Sequence, residues 1–502
     1  MKTCLRLAAV LFLCSIARAH PVPDIPVRAY FTPEGGCTVT VEVDPRCFTE
    51  DPENAPSLMQ PILPALGEAR VTELKTQARA LVEKYIEFLF EPGGRVRPDF
   101  NFEFTGHDRA PLDSEDDIVV LTGTWETRVP PGSTAWRIRA TQETPLAVVF
   151  RNYLAGTEHP KFSVLFPGET SFPFDLTASA RPLRHVVFGS CLNLTSHPML
   201  DRTLTLPMDL FLFMGDNIYA DTTDMDKMRA KYAALGGSTF FQGLRAKVPV
   251  LATWDDHDFG VNDGGADYPM KKESQKEFLD WLNEPAGSPL RRQEGVYQVR
   301  TFGPEGKRTQ VILLDTRYFR SPLKRVPKDQ GAVGGSAVPT DDPGTTVLGA
   351  TQWSWLEKVL REPAEVRLIV SSIQFAAAAS GSESWANFPH EQKRLVRLIA
   401  DAKAAGVVIL SGDRHWCEVS ALTEDVPYPL YDFTASAMTQ IHSRGTPTPN
   451  ANRALPATFH QPNVGALDID WTAADPSLTL RILDEKGGTK IEKVLRLSEL
   501  KP

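Results

Sequence analysis

The sequence has few cysteines, no like-charge block and, past its first twenty residues, no long hydrophobic run, and each shortage excludes a class of protein. Six cysteines in 502 residues are too few for a disulfide-dense scaffold. No segment beyond the start approaches the roughly 18 uninterrupted apolar residues that a membrane-spanning helix needs. Positive charge is not in excess either: 54 Lys and Arg stand against 63 Asp and Glu, a formal balance of −9. A nucleic-acid binder held by clustered basic residues is thereby disfavoured. No internal repeat or low-complexity tract is evident. What is there reads as globular: 42% hydrophobic residues, with 40 Pro and 34 Gly marking many loops. A chain this long predicts two to four domains, or one large α/β domain with additions.

The first residues read as an address. Lys2 and Arg6 precede an apolar stretch over 7–16, and Ala17-Arg18-Ala19 forms an A-x-A cleavage site, the pattern of a cleavable signal peptide. Cleavage is expected after Ala19, giving a soluble protein that is secreted or periplasmic. Four cysteines then remain, Cys37, Cys47, Cys191 and Cys417. Cys37 and Cys47 flank a strand-like run and could close a local disulfide. For Cys191 and Cys417, which sit beside chemically loaded motifs, metal ligation and burial compete with disulfide formation.

Residues 20–182 show short alternating runs at 38–43, 100–104 and 136–141, which predict a β-rich accessory domain, sandwich-like, with one helix over 71–90. From residue 183 to 502 the texture changes to apolar strands at 185–188, 210–214, 248–253, 311–314, 368–372 and 407–410. Helices are expected at 226–235, 273–283, 351–361 and 391–405, and further strands at 465–470, 478–483 and 491–497. Largely apolar strands suit sheets covered on both faces, which is α/β architecture. The Pro- and Gly-rich stretch 303–349 reads as a surface excursion outside its one strand.

Polar residues gather just after the strand ends, where α/β sheets bind ligands. The four ends are Phe188-Gly189-Ser190-Cys191-Leu192-Asn193, Met214-Gly215-Asp216-Asn217-Ile218-Tyr219-Ala220-Asp221, Thr253-Trp254-Asp255-Asp256-His257-Asp258 and Ser411-Gly412-Asp413-Arg414-His415-Trp416. Separately each is weak, because an Asp at a helix start is commonly a cap. Together they supply a thiol, a phenol, two imidazoles and several carboxylates. So many anionic groups close together are costly without cations. Oxygen ligands suit Ca²⁺, Mg²⁺ or Mn²⁺, whereas thiolate, phenolate and imidazole suit a transition metal such as iron. Two ions about 4 Å apart are a standard arrangement for phosphate ester hydrolysis. His20, Cys417, His185, His197, His390 and His442 are read as structural, and Asp255 as either a ligand helper or structural.

These motifs resemble the PhoD-like alkaline phosphatases and phosphodiesterases, a branch of the calcineurin-like metallophosphoesterases. Gly215 to Tyr219, Trp254 to Asp258 and Gly412 to Trp416 carry the resemblance in order and spacing, with Leu314-Asp315-Thr316-Arg317, Gln352 and Trp355, and 371–375 alongside. It extends over roughly 184–500. It implies a four-layer α/β sandwich behind an N-terminal β-sandwich, with iron and calcium at the site. Carried over by position, Cys191, Asp216, Tyr219 and His415 would hold Fe³⁺, Asp216 would bridge to Ca²⁺, and Asp256 and Asp413 would complete much of the Ca²⁺ shell. His257 would contact substrate and protonate the leaving group, and Asp258 would orient it. The leader lacks the arginine pair often seen in exported members, so other divalent metals stay open. Residues 20–182, with their helix, do not clearly match the family's amino-terminal domain.

The reading that results is a metal-dependent phosphoric ester hydrolase using hydroxide held between the ions, with Arg317 or Arg414 contacting phosphate. Its substrate would be a small phosphate ester or a lipid. The alternatives are a non-catalytic, calcium-stabilised extracellular binding protein and a phospholipase D-like phosphodiesterase.

Overall fold

The computed structural model describes residues 24–502 apart from 33–34, 53, 131, 155–156, 159–161, 177–180 and 285–287. The signal segment over 1–19 lies outside the described residues. The first described region holds a seven-stranded sheet, in the order Ser163–Leu165, Val148–Leu154, Ile25–Phe31, Gly36–Val43, Val120–Arg128 and Asn101–Thr105, with Thr157–Glu158 paired to Val148–Leu154. A four-stranded sheet, Phe174–Asp175, Ala135–Ala140, Ile86–Glu91 and Gly94–Val96, faces the same core. Period-two alternation explains it: in Ile25–Phe31 every second side chain is buried, as a pleated strand with one covered face requires.

The helix of this region runs Glu68–Tyr85 and buries Leu74, Ala78, Leu81 and Val82, the spacing of one helical face. The expected helix over 71–90 therefore ends early. Residues 86–90 lie in the strand Ile86–Glu91, because Ile86, Phe88 and Phe90 alternate inward with period two. The expected Cys37–Cys47 disulfide is also absent, both cysteines being free. Cys37 opens the strand Gly36–Val43 and Cys47 lies in the turn Pro45–Phe48 beyond its far end. An extended strand advances about 3.3 Å per residue, which holds the two well beyond disulfide reach.

Two six-stranded sheets follow. One has the order Val250–Thr253, Leu210–Met214, His185–Gly189, Asn463–Asp470, Ser477–Asp484 and Thr489–Arg496; its first three strands are parallel and the rest antiparallel. The other has the order Gln298–Phe302, Thr309–Leu313, Val366–Ser371, Val407–Ser411, Leu430–Ala435 and Cys417–Leu422, with four parallel strands inside two antiparallel edges. The strand Leu210–Met214 shows how the layers stack. Leu210, Leu212 and Met214 join the core shared with the second sheet. Phe211 and Phe213 point the other way, onto Phe240 and Phe241 of the helix Thr239–Lys247 and Trp281 of Lys271–Trp281. Each large apolar side chain so buried contributes roughly 2–3 kcal/mol.

Helices Gly349–Arg361 and Pro389–Asp401 cover the second sheet with Trp353, Leu356, Leu395 and Ile399. The chain is thus α/β, with four layers, helix, sheet, sheet and helix, behind an N-terminal β-rich region. Among the described residues no helix is long and apolar enough to cross a membrane.

Candidate metal centre

Parallel strands deliver their carboxyl ends to one edge, and the polar motifs follow those ends. Cys191 comes after His185–Gly189, Asp216 after Leu210–Met214, Asp255 to His257 after Val250–Thr253, and Asp413 and His415 after Val407–Ser411. The backbone there is unusual: Cys191, Asp216, Asp413 and His415 all have left-handed φ values, 59°, 51°, 69° and 60°. Non-glycine residues adopt that region at a cost, and such residues cluster where geometry serves function. Gly215, at φ 102°, lets the turns close up, since a Cβ there would lie 2.6 Å from the Asp255 Cβ. Gly412 does the same against Ser190, whose Oγ would be 2.5 Å from an added Cβ.

Among the described residues four groups of donors result, each with its atoms within 4.8 Å of one another: Cys191, Asp216 and His415; Asp216, Asp256 and His257; Asp255, Asp256 and Asp413; Asp256, Asp263 and Glu383. The Cys191 Sγ lies 3.4 Å from Asp216 Oδ2. The Tyr219 hydroxyl donates to the same oxygen at 3.3 Å and lies 3.0 Å from His415 Nε2. Cys191, Asp216, Tyr219 and His415 therefore surround one point, and Asp216 is shared with the carboxylate group next to it. Asp216 Oδ1 is buried and has no hydrogen-bond partner, a deficit a cation would fill. The S, N and phenol donors suit a transition metal on one side, and the carboxylates a hard cation on the other.

The protonation pattern carries the same message. Burial, then Cys191 and the neighbouring carboxylates, push Asp216 well above the usual range. Burial and Asp216 do likewise to Tyr219. Burial pushes the Cys191 thiol up to about 11. Asp413 is raised to about 7 by burial and Asp256, against the pull of Arg414. His415 is lowered to about 4, chiefly by burial. Burial also raises Asp256, but Arg317, His257 and the Asp263 N–H outweigh it and hold this carboxyl below its ordinary value. Left to itself the cluster resists full ionisation; a bound cation would favour the ionised carboxylates, thiolate and phenolate and the neutral imidazole of His415.

A sequence profile of the PhoD-like phosphatases matches residues 188–492. The chain belongs to that family. It is 24% identical over 260 residues to alkaline phosphatase D of Bacillus subtilis (strain 168), a match spanning 43% of this chain and 43% of that protein. A solved structure of PhoD is 14% identical and covers 96% of this chain and 93% of its own, with a TM-score of 0.48. Vps29 from Chaetomium thermophilum is 11% identical and covers 64% of this chain and 99% of its own, with a TM-score of 0.24.

In this member of the family two residues do other work than their sequence positions suggest. Asp258 does not orient His257. Its carboxylate accepts from the Asp255 N–H at 2.6 Å and from the Asn217 backbone N–H at 3.1 Å, because it closes the first turn of the short helix Asp256–Phe259 as the far half of a capping box. The partner of His257 is Asp221, whose Oδ1 lies 2.7 Å from Nδ1. Arg317 cannot contact phosphate. It is 0% exposed, its Nε donates to Asp255 at 2.6 Å and one Nη donates to Glu383 at 2.6 Å. It neutralises the back wall, where Arg320 Nε also lies 2.7 Å from Glu383.

Arg414 does line the cleft, together with Asp256, His257, Asp263, Asp413 and His415. Ser436, which no motif flagged, joins two donors of one set: its Oγ lies 3.1 Å from Cys191 Sγ and accepts from the His415 N–H at 2.8 Å. Of the residues read as structural, His185 pairs with Asp468 at 2.7 Å, His197 caps the helix Pro198–Thr205, and His390 lies 2.7 Å from the Thr345 carbonyl. His442 departs from that reading by lining the cleft, with its N–H on the His415 carbonyl.

Proposed function

We propose that the protein hydrolyses phosphoric esters of the alkaline phosphatase and phosphodiesterase type, with iron at Cys191, Asp216, Tyr219 and His415 and calcium at Asp216, Asp256 and Asp413. One observation carries the reading: two chemically different donor sets share Asp216, whose Oδ1 is buried without a partner. When bound, a pair of cations there activates water and neutralises charge developing on the phosphoryl oxygens.

The chain's own groups do the rest. Asp221 anchors Nδ1 of His257, leaving Nε2 as the nitrogen able to pass a proton to the leaving oxygen. Arg414, with a guanidinium nitrogen 3.3 Å from Asp413 Oδ2, is placed to make a charge-assisted contact to a phosphoryl oxygen. The buried Asp255, Arg317, Glu383 and Arg320 cluster holds the wall behind the carboxylates. In this reading residues 20–182 act as an accessory domain to the catalytic unit 183–502, and the mature chain, cleaved after Ala19, is secreted or periplasmic.

The test is elemental analysis of protein purified without chelator, paired with hydrolysis of bis(4-nitrophenyl) phosphate and 4-nitrophenyl phosphate. Near-stoichiometric iron and calcium with chelator-sensitive hydrolysis is the expected result. Asp216→Ala should lose both activity and metal; an active, metal-replete Asp216→Ala protein would sink the reading.

A further inference from the structure

The lining of the cleft divides by charge. Asp256, Asp263 and Asp413 supply its carboxylates and Arg414 and Arg444 its guanidiniums, with His257, His415 and His442 as the other titratable lining. Arg444 comes from a loop that the sequence motifs do not include. Its Nε donates to the Thr446 carbonyl at 2.9 Å and Nη1 to the Val333 carbonyl at 3.3 Å. Its Nη2 is buried and makes no hydrogen bond. Among the described residues no carboxylate pairs with it. A guanidinium keeps its charge at any pH the protein meets, so neutral carbonyls alone leave that charge uncompensated. An unpartnered donor is costly to bury.

Arg414 stands beside it. The Cζ atoms of Arg414 and Arg444 lie 4.6 Å and 5.3 Å from the ring centroid of the buried Trp416, so one indole supports both cations. Among the described residues Arg414 has Asp413 as its one charged partner, at 3.3 Å, and it already lines the cleft. The Arg444 loop is tied to the centre through two hydrogen bonds: the His442 backbone N–H donates to the His415 carbonyl at 3.2 Å, and the Arg444 backbone N–H donates to His442 Nδ1 at 3.0 Å. The position of Arg444 is therefore fixed relative to His415.

We infer that Arg444, beside the phosphate-facing Arg414, forms a subsite for a second anionic group, so that the preferred phosphoric esters carry a further phosphate or carboxylate beyond the phosphate that is cleaved. The inference rests on the hydrolase reading above and specifies its substrate class. The planar fork of arginine matches such oxyanions in bidentate fashion.

Two chromogenic esters that differ by one phosphate test it: thymidine 5′-(4-nitrophenyl phosphate) and the same ester phosphorylated at the 3′ oxygen, each with the metal-replete full chain. The wild-type kcat/KM is expected to favour the second ester by about tenfold or more. In Arg444→Gln the ratio should fall toward one, and Arg444→Lys, which keeps the charge without the fork, should recover part of it. A wild-type ratio of one overturns the subsite whatever the variants do. So does a ratio unchanged in a folded Arg444→Gln protein. In both cases the hydrolase reading stands. Cleavage of neither ester by metal-replete protein overturns the hydrolase reading and the subsite with it.

Discussion

His257 gains its proton affinity from its neighbours. Burial pulls its pKa down, but the carboxylates of Asp256 and Asp221 outweigh that and raise it. Acting as an acid, it must be protonated, so activity falls as pH rises through that pKa. Asp221→Asn removes one stabilising anion and lowers the pKa, which should move the alkaline limb of the kcat/KM profile to lower pH. A limb that stays put would assign the proton to another group. Glu383 makes a different kind of prediction, because it, Asp255, Arg317 and Arg320 are all fully buried. Glu383→Gln leaves two guanidiniums facing one carboxylate, and denaturant unfolding should show a loss of about 3–5 kcal/mol. The ligand-bearing motifs were legible because each follows an apolar strand end. Asp221 stood in one of those motifs, but its role did not show because His257 lies 36 positions away; Ser436, Glu383 and Arg444 lay outside them, and Ser436 meets Cys191 across 245 positions, a pairing nothing local marks.

At the scale of elements the centre depends on how closely strand ends approach. Gly215→Ala would add a Cβ in contact with Asp255 at a φ that L-residues rarely adopt. A loss of roughly 2–4 kcal/mol is expected, with less bound metal because the Asp216 and Asp256 turns are forced apart. A variant with wild-type melting temperature and full metal content would show that the turn has slack. Apolar strands such as Leu210–Met214 and Val407–Ser411 could be read from their runs. The strands Cys417–Leu422 and Leu430–Ala435 could not, because Glu418, Ser420, Asp432 and Thr434 are buried polar residues that break the run. Their partners come from elsewhere: Asp432 accepts from the Phe375 and Ala376 N–H groups and from Ser411, and Glu418 from Arg453 and Gln374. The helix Glu68–Tyr85 was read too long because Ile86, Phe88 and Phe90 fit a helical face as well as a strand face until the sheet partner decides.

For the whole molecule, the β-rich region and the α/β region have separate cores with no residue in common. Scanning calorimetry should resolve a transition that chelator leaves alone and one that chelator lowers. The chelated form should also depend on pH. Asp258 is held up to about 7 by burial, against its N–H donors, and Asp413 is likewise raised to about 7. The unfolded chain gives up these protons near pH 4, so between about pH 4 and 7 it binds fewer protons than the native state and stability falls as pH rises. The metal-sensitive transition of chelated protein is therefore expected to drop by several degrees between pH 5 and 7.5, and the gap to metal-loaded protein to widen. A chelated transition flat across that range would mean the carboxylates are compensated some other way.

The strand His185–Gly189, which ends at Cys191, is paired on one side with Leu210–Met214 and on the other with Asn463–Asp470, His185 standing opposite Asp468. Leu467 and Ile469 of that later strand belong to the core between the two sheets. The pairing of His185–Gly189 with Asn463–Asp470 therefore brackets the whole centre, since every donor from Cys191 to His415 lies in the chain between those two strands.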